Sequence, residues 1–399
     1  MTMIALAVGL ALRMYTLPAR DLWTDEAARI ATAKVPVEVR SLVTLGYEHA
    51  RETYRLSPPL YSLLLRLFIQ FFGDSLLSYR LLSLMAGVGM IWLTYRIGAS
   101  AHHPFTGQLA AVLVAISPYF VSHAQDANTY SVAGFLSTLA IWRFWQALQQ
   151  QTARAWIIWG IAAVLAAFAH HYAWLVVLFQ GIYVVTVYFR RHRQMPRGWH
   201  IGLGTVVLLY MPYLPIAALQ FRTAQGLGYV GREPQSYVST LATNLLNVST
   251  GYRASQFRDV LSLQLAPEAV ARLGLLITAI AIPLIIAGLG VRSALNRGDT
   301  GPGCYLLVVL GGAMLLGPAG LFVARHLTIV AALYFVMMAL GLAAVSIRAR
   351  TGLLALLMLV NVVSLGSFYS NTWSRTRPQD WRGAAREVAR RVQPGDLVV

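Results

Sequence analysis

Two adjacent carboxylates, Asp25 and Glu26, follow the first apolar run of the chain in the stretch Trp23-Thr-Asp-Glu. Carboxylates at a membrane surface are costly to desolvate, so they need either water or a purpose. One purpose is general base chemistry, with Asp25 taking a proton from a hydroxyl and Glu26 as a second acceptor or orienting group. The same residues also suit a solvated helix N-terminus, with Thr24 as cap and a surface helix over 25–34. Further polar groups recur between apolar runs. Gln125, Asp126, Asn128 and Tyr130 form one cluster, His170-His171-Tyr172 a second, and Arg325-His326 a third. An arginine held between two apolar runs suits a lipid-linked phosphate or simply the headgroup layer. Adjacent histidines point to different helix faces, which argues against a metal pair at 170–171.

The elements that carry these groups are set by composition. The chain has 399 residues, of which 57% are hydrophobic and 12% charged, and its mean hydropathy is +0.59. A soluble domain carries roughly 25% charged residues. Ordinary soluble enzymes, disordered chains and disulfide-stapled modules are therefore excluded. The formal charge is +17, with a single lysine, Lys34. The arginines are scattered between apolar runs and lack the aromatic interleaving of a nucleic-acid module, so no nucleic-acid partner is expected. A lone cysteine, Cys304, forbids an intrachain disulfide or a Cys-based metal site. Walker, zincin and serine-elbow motifs are absent from the sequence.

Apolar runs long enough for membrane helices lie at 3–17, 80–98, 105–120, 129–147, 155–170, 172–189, 201–219, 269–291, 303–323, 327–346 and 352–370. They predict an all-α polytopic membrane protein with about eleven spans. The shorter run 58–72, which carries Arg66, would make a twelfth. Arginine placement sets the sides. The cluster Arg190, Arg191, Arg193 and Arg197 goes inside, and alternation then puts Arg292, Arg297, Arg348 and Arg350 inside too. If 58–72 does not cross, residues 18–57 lie outside, together with fourteen of the fifteen acids, leaving only Asp299 inside. We therefore expect eleven spans, an inner N-terminus, outer loops at 18–57 and 220–268, and an outer tail at 371–399. Residues 3–17 lack a preceding positive charge and read as a retained first span.

The order of motifs resembles the GT-C membrane glycosyltransferases. It resembles in particular the bacterial family 39-like group of protein mannosyltransferases and the lipid A aminoarabinose transferase. The resemblance rests on Trp23-Thr-Asp25-Glu26, Pro58-Pro59-Leu60-Tyr61, Phe72-Gly73 with Ser75 and Arg80-Leu81, Ser117-Pro118, Gln125-Asp126-Ala127 with Tyr130, His171-Tyr172 and Arg325-His326-Leu327. The chain departs from the pattern at Ser57, Asn128 and His326. The resemblance implies a transmembrane domain over 1–370 with juxtamembrane helices in the first outer loop. Residues 371–399 would be the start of a truncated or minimal soluble domain.

It also implies a polyprenyl-phosphate sugar donor, an inverting single displacement, and a lipid, glycan or protein acceptor. The site would then lie on the outer face of the plasma membrane, among membrane lipids. Asp25 would be the base, with Glu26 beside it. Arg325, His326 and Arg55 would hold the donor phosphate. Trp23, Tyr61, Gln125, Asp126, Tyr130, His171 and Tyr172 would bind sugar or acceptor. Some members of the superfamily use a divalent metal, but the scattered acids here form no ligand cluster and no cofactor is expected. A lipid or glycan transporter, which would need inverted repeats and mid-membrane charges, and a non-catalytic envelope assembly protein are the competing readings.

Overall fold

The computed structural model describes residues 1–34, 57–226, 237–251, 267–296, 302–316 and 324–370, and beyond these only 383, 387, 388, 390 and 391. The tail expected over 371–399, Arg55 and Asp299 therefore lie outside the described residues, apart from those five positions.

The described residues are helical throughout, with no strand among them. Helix α1 is Thr2–Met14 and α2 is Thr24–Lys34. Then come α3 (Leu60–Phe72), α4 (Leu76–Ala101), α5 (Pro104–Ile116) and α6 (Pro118–Ala124). Helices α7 (Thr129–Gln150), α8 (Ala153–Ala169) and α9 (Ala173–His192) follow, the last with a π-turn over Val184–Tyr188. After α10 (Trp199–Tyr210) and α11 (Leu214–Gly226) come α12 (Tyr237–Thr250), α13 (Pro267–Asn296) and α14 (Pro302–Leu316). A 3-10 turn, Ala324–Leu327, leads into α15 (Thr328–Ala344), and α16 is Ile347–Tyr369.

Each apolar run expected to span falls on a helix as far as it is described, with corrections at two places; 317–323 lie outside the described residues. The 105–120 run is broken, because Pro118 ends α5 and α6 departs at 60°. The 201–219 run is one membrane-length helical stretch, Trp199–Arg222, which tightens to a 3-10 turn at Met211–Tyr213 around Pro212. The first run is helical only to Met14. Among the described residues, five helices are long and apolar enough to cross a membrane, and the bent α5–α6 pair would make a sixth. Helix α3 has 13 residues, about 20 Å of rise against about 30 Å of hydrocarbon. Large apolar side chains such as Met3, Leu208 and Val362 stay exposed on the outward faces, as a lipid-facing surface requires. These helices make the chain an integral membrane protein.

Helix α15 is the centre. Every residue from Thr328 to Leu342 is buried, packed against α4, α5, α7 and α13. A helix apolar all round belongs in the interior. Glycines set its closest crossing: a Cβ at Gly290 of α13 would strike the Met337 carbonyl, and one at Gly341 would strike the Ile286 carbonyl. Because α15 is fixed, the Arg325–His326 turn at its start is fixed too.

A buried arginine repairs the break before α6. Pro118 has no N–H for the Val114 carbonyl four residues back. Arg13, fully buried in α1, donates from Nη2 to Val114 O at 3.1 Å and from Nη1 to Ala115 O at 2.9 Å. In return, Gln125 Nε2 donates to the carbonyls of Leu12, Arg13 and Tyr15 at the end of α1. The two helix ends thus satisfy each other where water is scarce.

Charge sorts along the bundle. Asp21, Asp25, Glu26, Asp74 and Asp126 gather at the end where α4 and α7 begin. Arg96, Arg143, Arg154, Arg190, Arg191, Arg193, Arg348 and Arg350 gather where those helices finish and α9 ends.

Candidate functional site

Helix α2 starts at Thr24, so Thr24 is its first residue and not its cap. Glu26, in the first turn, accepts from the Trp23 backbone N–H at 2.9 Å, half of a capping box. Its carboxylate is fully buried and faces Arg80 of α4. Arg80 Nε donates to Oε1 at 3.0 Å and Nη2 to Oε2 at 3.1 Å. The same guanidinium donates to the carbonyls of Leu17, Arg20 and Asp21. Glu26 Oε1 also accepts from the Ala127 N–H at 2.7 Å. Both oxygens are therefore engaged by backbone and guanidinium. Glu26, expected to act beside the base or on a hydroxyl, instead fastens the 15–23 turn, α4 and the 125–128 loop together.

Asp25 is one residue earlier, and a helix turns about 100° per residue. It therefore faces away from Arg80, toward the start of α15. Arg325 Nη1 donates to Asp25 Oδ2 at 3.0 Å, across 300 residues of sequence. The two side chains are 40% and 39% exposed, so this ion pair is open to solvent. The Arg325 guanidinium also lies 5.9 Å from the Trp23 ring and 5.6 Å from the Tyr130 ring. Around it stand His170, Tyr172 and His326: His326 is 4.5 Å from Tyr172, 5.1 Å from His170 and 6.0 Å from Tyr130 between ring centroids.

Burial pushes the His170 imidazole well below its usual range, with His326, His171, Arg29 and Arg325 adding to the effect. His171 is lowered by burial as well, against a hydrogen bond that favours its charged form. Its Nε2 donates to Gln220 Oε1 at 2.9 Å, Tyr213 donates to the same oxygen, and Gln220 Nε2 donates to the Ser57 carbonyl. His171 thus ties α8, α11 and the start of α3 rather than facing the Asp25–Arg325 pair.

The structure brings Asp25, Trp23, Tyr130, Tyr172, Arg325 and His326 to one place, with Asp126 close enough for its charge to act on Tyr130. It removes two expected contacts. Tyr61 is buried, 3.3 Å from Ser83 Oγ, which in turn donates to the Asn128 carbonyl, so its ring has no free face for a sugar. Gln125 is fully buried, spending its amide on α1 and its oxygen on Arg20 at 3.0 Å. Asn128, one of the departures from the family pattern, caps α7 through its side chain. Sequence reasoning did not assign Arg29, one turn along α2 from Asp25. Its charge acts on Tyr61, Tyr130 and His170. The i, i+4 spacing from Asp25 was the signal available for it. Among the described residues no three His, Cys, Asp or Glu side chains are grouped to hold a metal ion.

Residues 57–216 match the family model described as dolichyl-phosphate-mannose-protein mannosyltransferase. The chain superposes on the apo crystal structure of ArnT from Cupriavidus metallidurans with a TM-score of 0.61 at 12% identity, covering 88% of this chain and 61% of that one. The undecaprenyl phosphate-bound form of ArnT gives a TM-score of 0.59 at 11% identity, over 88% and 62%. The oligosaccharyltransferase AglB from Archaeoglobus fulgidus, in complex with an inhibitory peptide and a dolichol-phosphate, gives 0.55 at 14% identity, over 91% and 54%. The chain spans about three fifths of ArnT's length. A comparison by sequence with curated proteins found no match. At these identities the superpositions establish the fold, which is that of the GT-C membrane glycosyltransferases.

Proposed function

We propose that this GT-C chain transfers a sugar from a polyprenyl-phosphate donor to an acceptor hydroxyl at the outer face of the plasma membrane, with Asp25 as general base. The observation that carries this reading is the Asp25–Arg325 pair. A carboxylate and a guanidinium meet at 3.0 Å on a solvent-open edge, ringed by aromatic side chains, while the neighbouring Glu26 is locked away.

Each group then has a task its chemistry suits. A lipid phosphate is already a good leaving group, so the donor needs cations and not a strong acid. Arg325 offers a guanidinium fork that fits a phosphate in two-point contact. Its Nε is buried without a hydrogen-bond partner among the described residues. Arg29 adds positive charge beside Asp25. In the free protein Arg325 rests on Asp25. An arriving phosphate competes for the same guanidinium, which frees Asp25 Oδ2 to accept the acceptor's proton. The acceptor oxygen attacks the anomeric carbon as the bond to phosphate breaks, inverting that centre. His326 is the second candidate for the phosphate, with Arg55 a third from sequence alone. Trp23, Tyr130 and Tyr172 supply flat faces for a sugar ring.

The test is turnover of purified, reconstituted protein with polyprenyl-phosphate sugars. Asp25→Asn should lower the rate by at least ~10²-fold with the fold intact. Arg325→Ala should weaken use of the lipid phosphate. An unchanged rate in Asp25→Asn removes the base role. Impermeant labelling of a cysteine placed at Thr24 in intact cells, with Cys304 replaced, tests the side: protection until lysis would put the carboxylates in the cytoplasm and overturn the outer-face assignment.

A further inference from the structure

His170 stands beside the Asp25–Arg325 pair with one ring nitrogen uncommitted. Its backbone is fixed twice at the end of α8: the N–H donates to the Ala166 carbonyl at 2.9 Å, and the carbonyl accepts from the Ala173 N–H at 3.0 Å. Thr129, at the start of α7, donates to the Ala169 carbonyl at 2.6 Å and holds that end of α8 in place. The imidazole stacks on Tyr172 with centroids 5.2 Å apart and planes 20° from parallel. It lies 5.1 Å from His326 and 6.0 Å from Tyr130 between ring centroids. The charges of Arg29 and Arg325 both reach it.

The hydrogen bonds assign its proton. The Tyr172 backbone N–H donates to His170 Nδ1 at 3.3 Å. A nitrogen that accepts carries no hydrogen, so the ring proton of the neutral imidazole sits on Nε2. Burial and the surrounding cations keep the ring neutral. Nε2 has no hydrogen-bond partner among the described residues, and the residue is half-buried. A departing lipid phosphate carries three terminal oxygens, one of which held the sugar. A guanidinium fork such as that of Arg325 engages two. The third gathers negative charge as its bond to the sugar breaks, and a preorganised donor there stabilises the transition state. A neutral N–H does so without handing over a proton that a lipid phosphate does not need. We propose that His170 is a donor-binding residue whose Nε2–H donates a hydrogen bond to the departing phosphate oxygen, beside the Arg325 guanidinium. The bond from the anomeric carbon to that oxygen breaks, its electron pair stays on the phosphate, and His170 keeps its proton. Asp25 receives the proton of the acceptor hydroxyl. This role rests on the polyprenyl-phosphate reading of the site.

Titration of the full chain in detergent with decaprenyl phosphate, and with decaprenol as the uncharged control, tests it through intrinsic tryptophan fluorescence. His170→Phe keeps a flat ring for Tyr172 but has no N–H. It should raise the apparent Kd for decaprenyl phosphate at least ~10-fold, the loss expected for one hydrogen bond to a charged group, and leave decaprenol binding as in wild type. His170→Gln carries an N–H at a similar reach and should recover most of that loss, which a merely structural ring would not. In turnover assays kcat should fall in His170→Phe as well, since the charge on that oxygen is greatest in the transition state. Should His170→Phe fold poorly, nitrogen NMR of histidine-labelled wild type gives the second measurement: the His170 Nε2 signal should carry the proton and shift when decaprenyl phosphate is added. Equal affinity of wild type and His170→Phe for decaprenyl phosphate, or an Nε2 signal that does not move, overturns the role of His170 and leaves the donor reading standing. Wild-type protein that binds decaprenyl phosphate no better than decaprenol overturns both.

Discussion

Glu26 and Arg80 form a two-point ion pair with both side chains almost fully excluded from solvent. Removing one partner leaves a buried charge uncompensated, at about 3–5 kcal/mol. Glu26→Gln or Arg80→Leu should therefore lower the unfolding midpoint sharply, and the double variant should lose less than the sum of the two. Arg80→Lys should not rescue, because a lysine cannot span the Glu26 oxygens and the Leu17, Arg20 and Asp21 carbonyls at once. Thermal melts of the purified protein check all four. An additive double variant would mean the pair does not act as a unit.

Arg13 and Pro118 should be coupled in the same way. Arg13→Met strips the Val114 and Ala115 carbonyls of their donors, at about 1–3 kcal/mol for each group left unmet. Pro118→Ala restores the N–H that the Val114 carbonyl lacks. The double variant should be more stable than Arg13→Met alone. A further loss of stability would show that the α5–α6 bend serves packing, independently of those carbonyls.

Enclosure of His170 and His171 gives a signed pH effect. Both imidazoles are depressed by burial, while in the unfolded chain they titrate near about 6.5. Above that pH the shift costs nothing. As pH falls through it, the unfolded chain takes up protons that the folded one refuses. Stability should therefore fall on acidification toward the folded-state pKa, by up to about 1.4 kcal/mol per pH unit per group. His170→Gln should flatten the decline in melting temperature between pH 7 and pH 5. The same slope in the variant would rule out His170 as a source of the effect.

The α13–α15 crossing makes a steric prediction with its own control. Gly290→Ala and Gly341→Ala push a methyl into an opposing backbone carbonyl that cannot swing aside. Overpacking of that kind costs about 1–3 kcal/mol or more. Gly288, two residues away on α13, has open space around it. Gly288→Ala should be neutral or stabilise by up to about 1 kcal/mol through helix propensity alone.

How much of this was legible in the chain differs from residue to residue. Helices could be read because an apolar run of membrane length has few other stable states. The break at Pro118 was also readable, since a missing N–H is a local fact, yet that run was taken as continuous because hydropathy alone does not register a bend. Tyr61 and Gln125 were misjudged for a related reason. A phenol and an amide suit a sugar as well as they suit a buried carbonyl, and only their neighbours decide which they meet. Arg29 passed unnoticed because a lone arginine on a short surface helix carries no distinctive pattern.

By itself the sequence determined the helical class, the placement of apolar runs, the gathering of acids near one end, and a pair of carboxylates just after the first run. These follow from composition and short-range order along one chain. Only the tertiary structure decided between those carboxylates. Asp25 and Glu26 are chemically near-identical and adjacent, but a helix sends them in different directions. Arg80, 54 residues away, captures one in a buried pair, and Arg325, 300 residues away, meets the other at an open edge. Partners so distant in sequence are set by how α4 and α15 pack, and no local pattern encodes that choice.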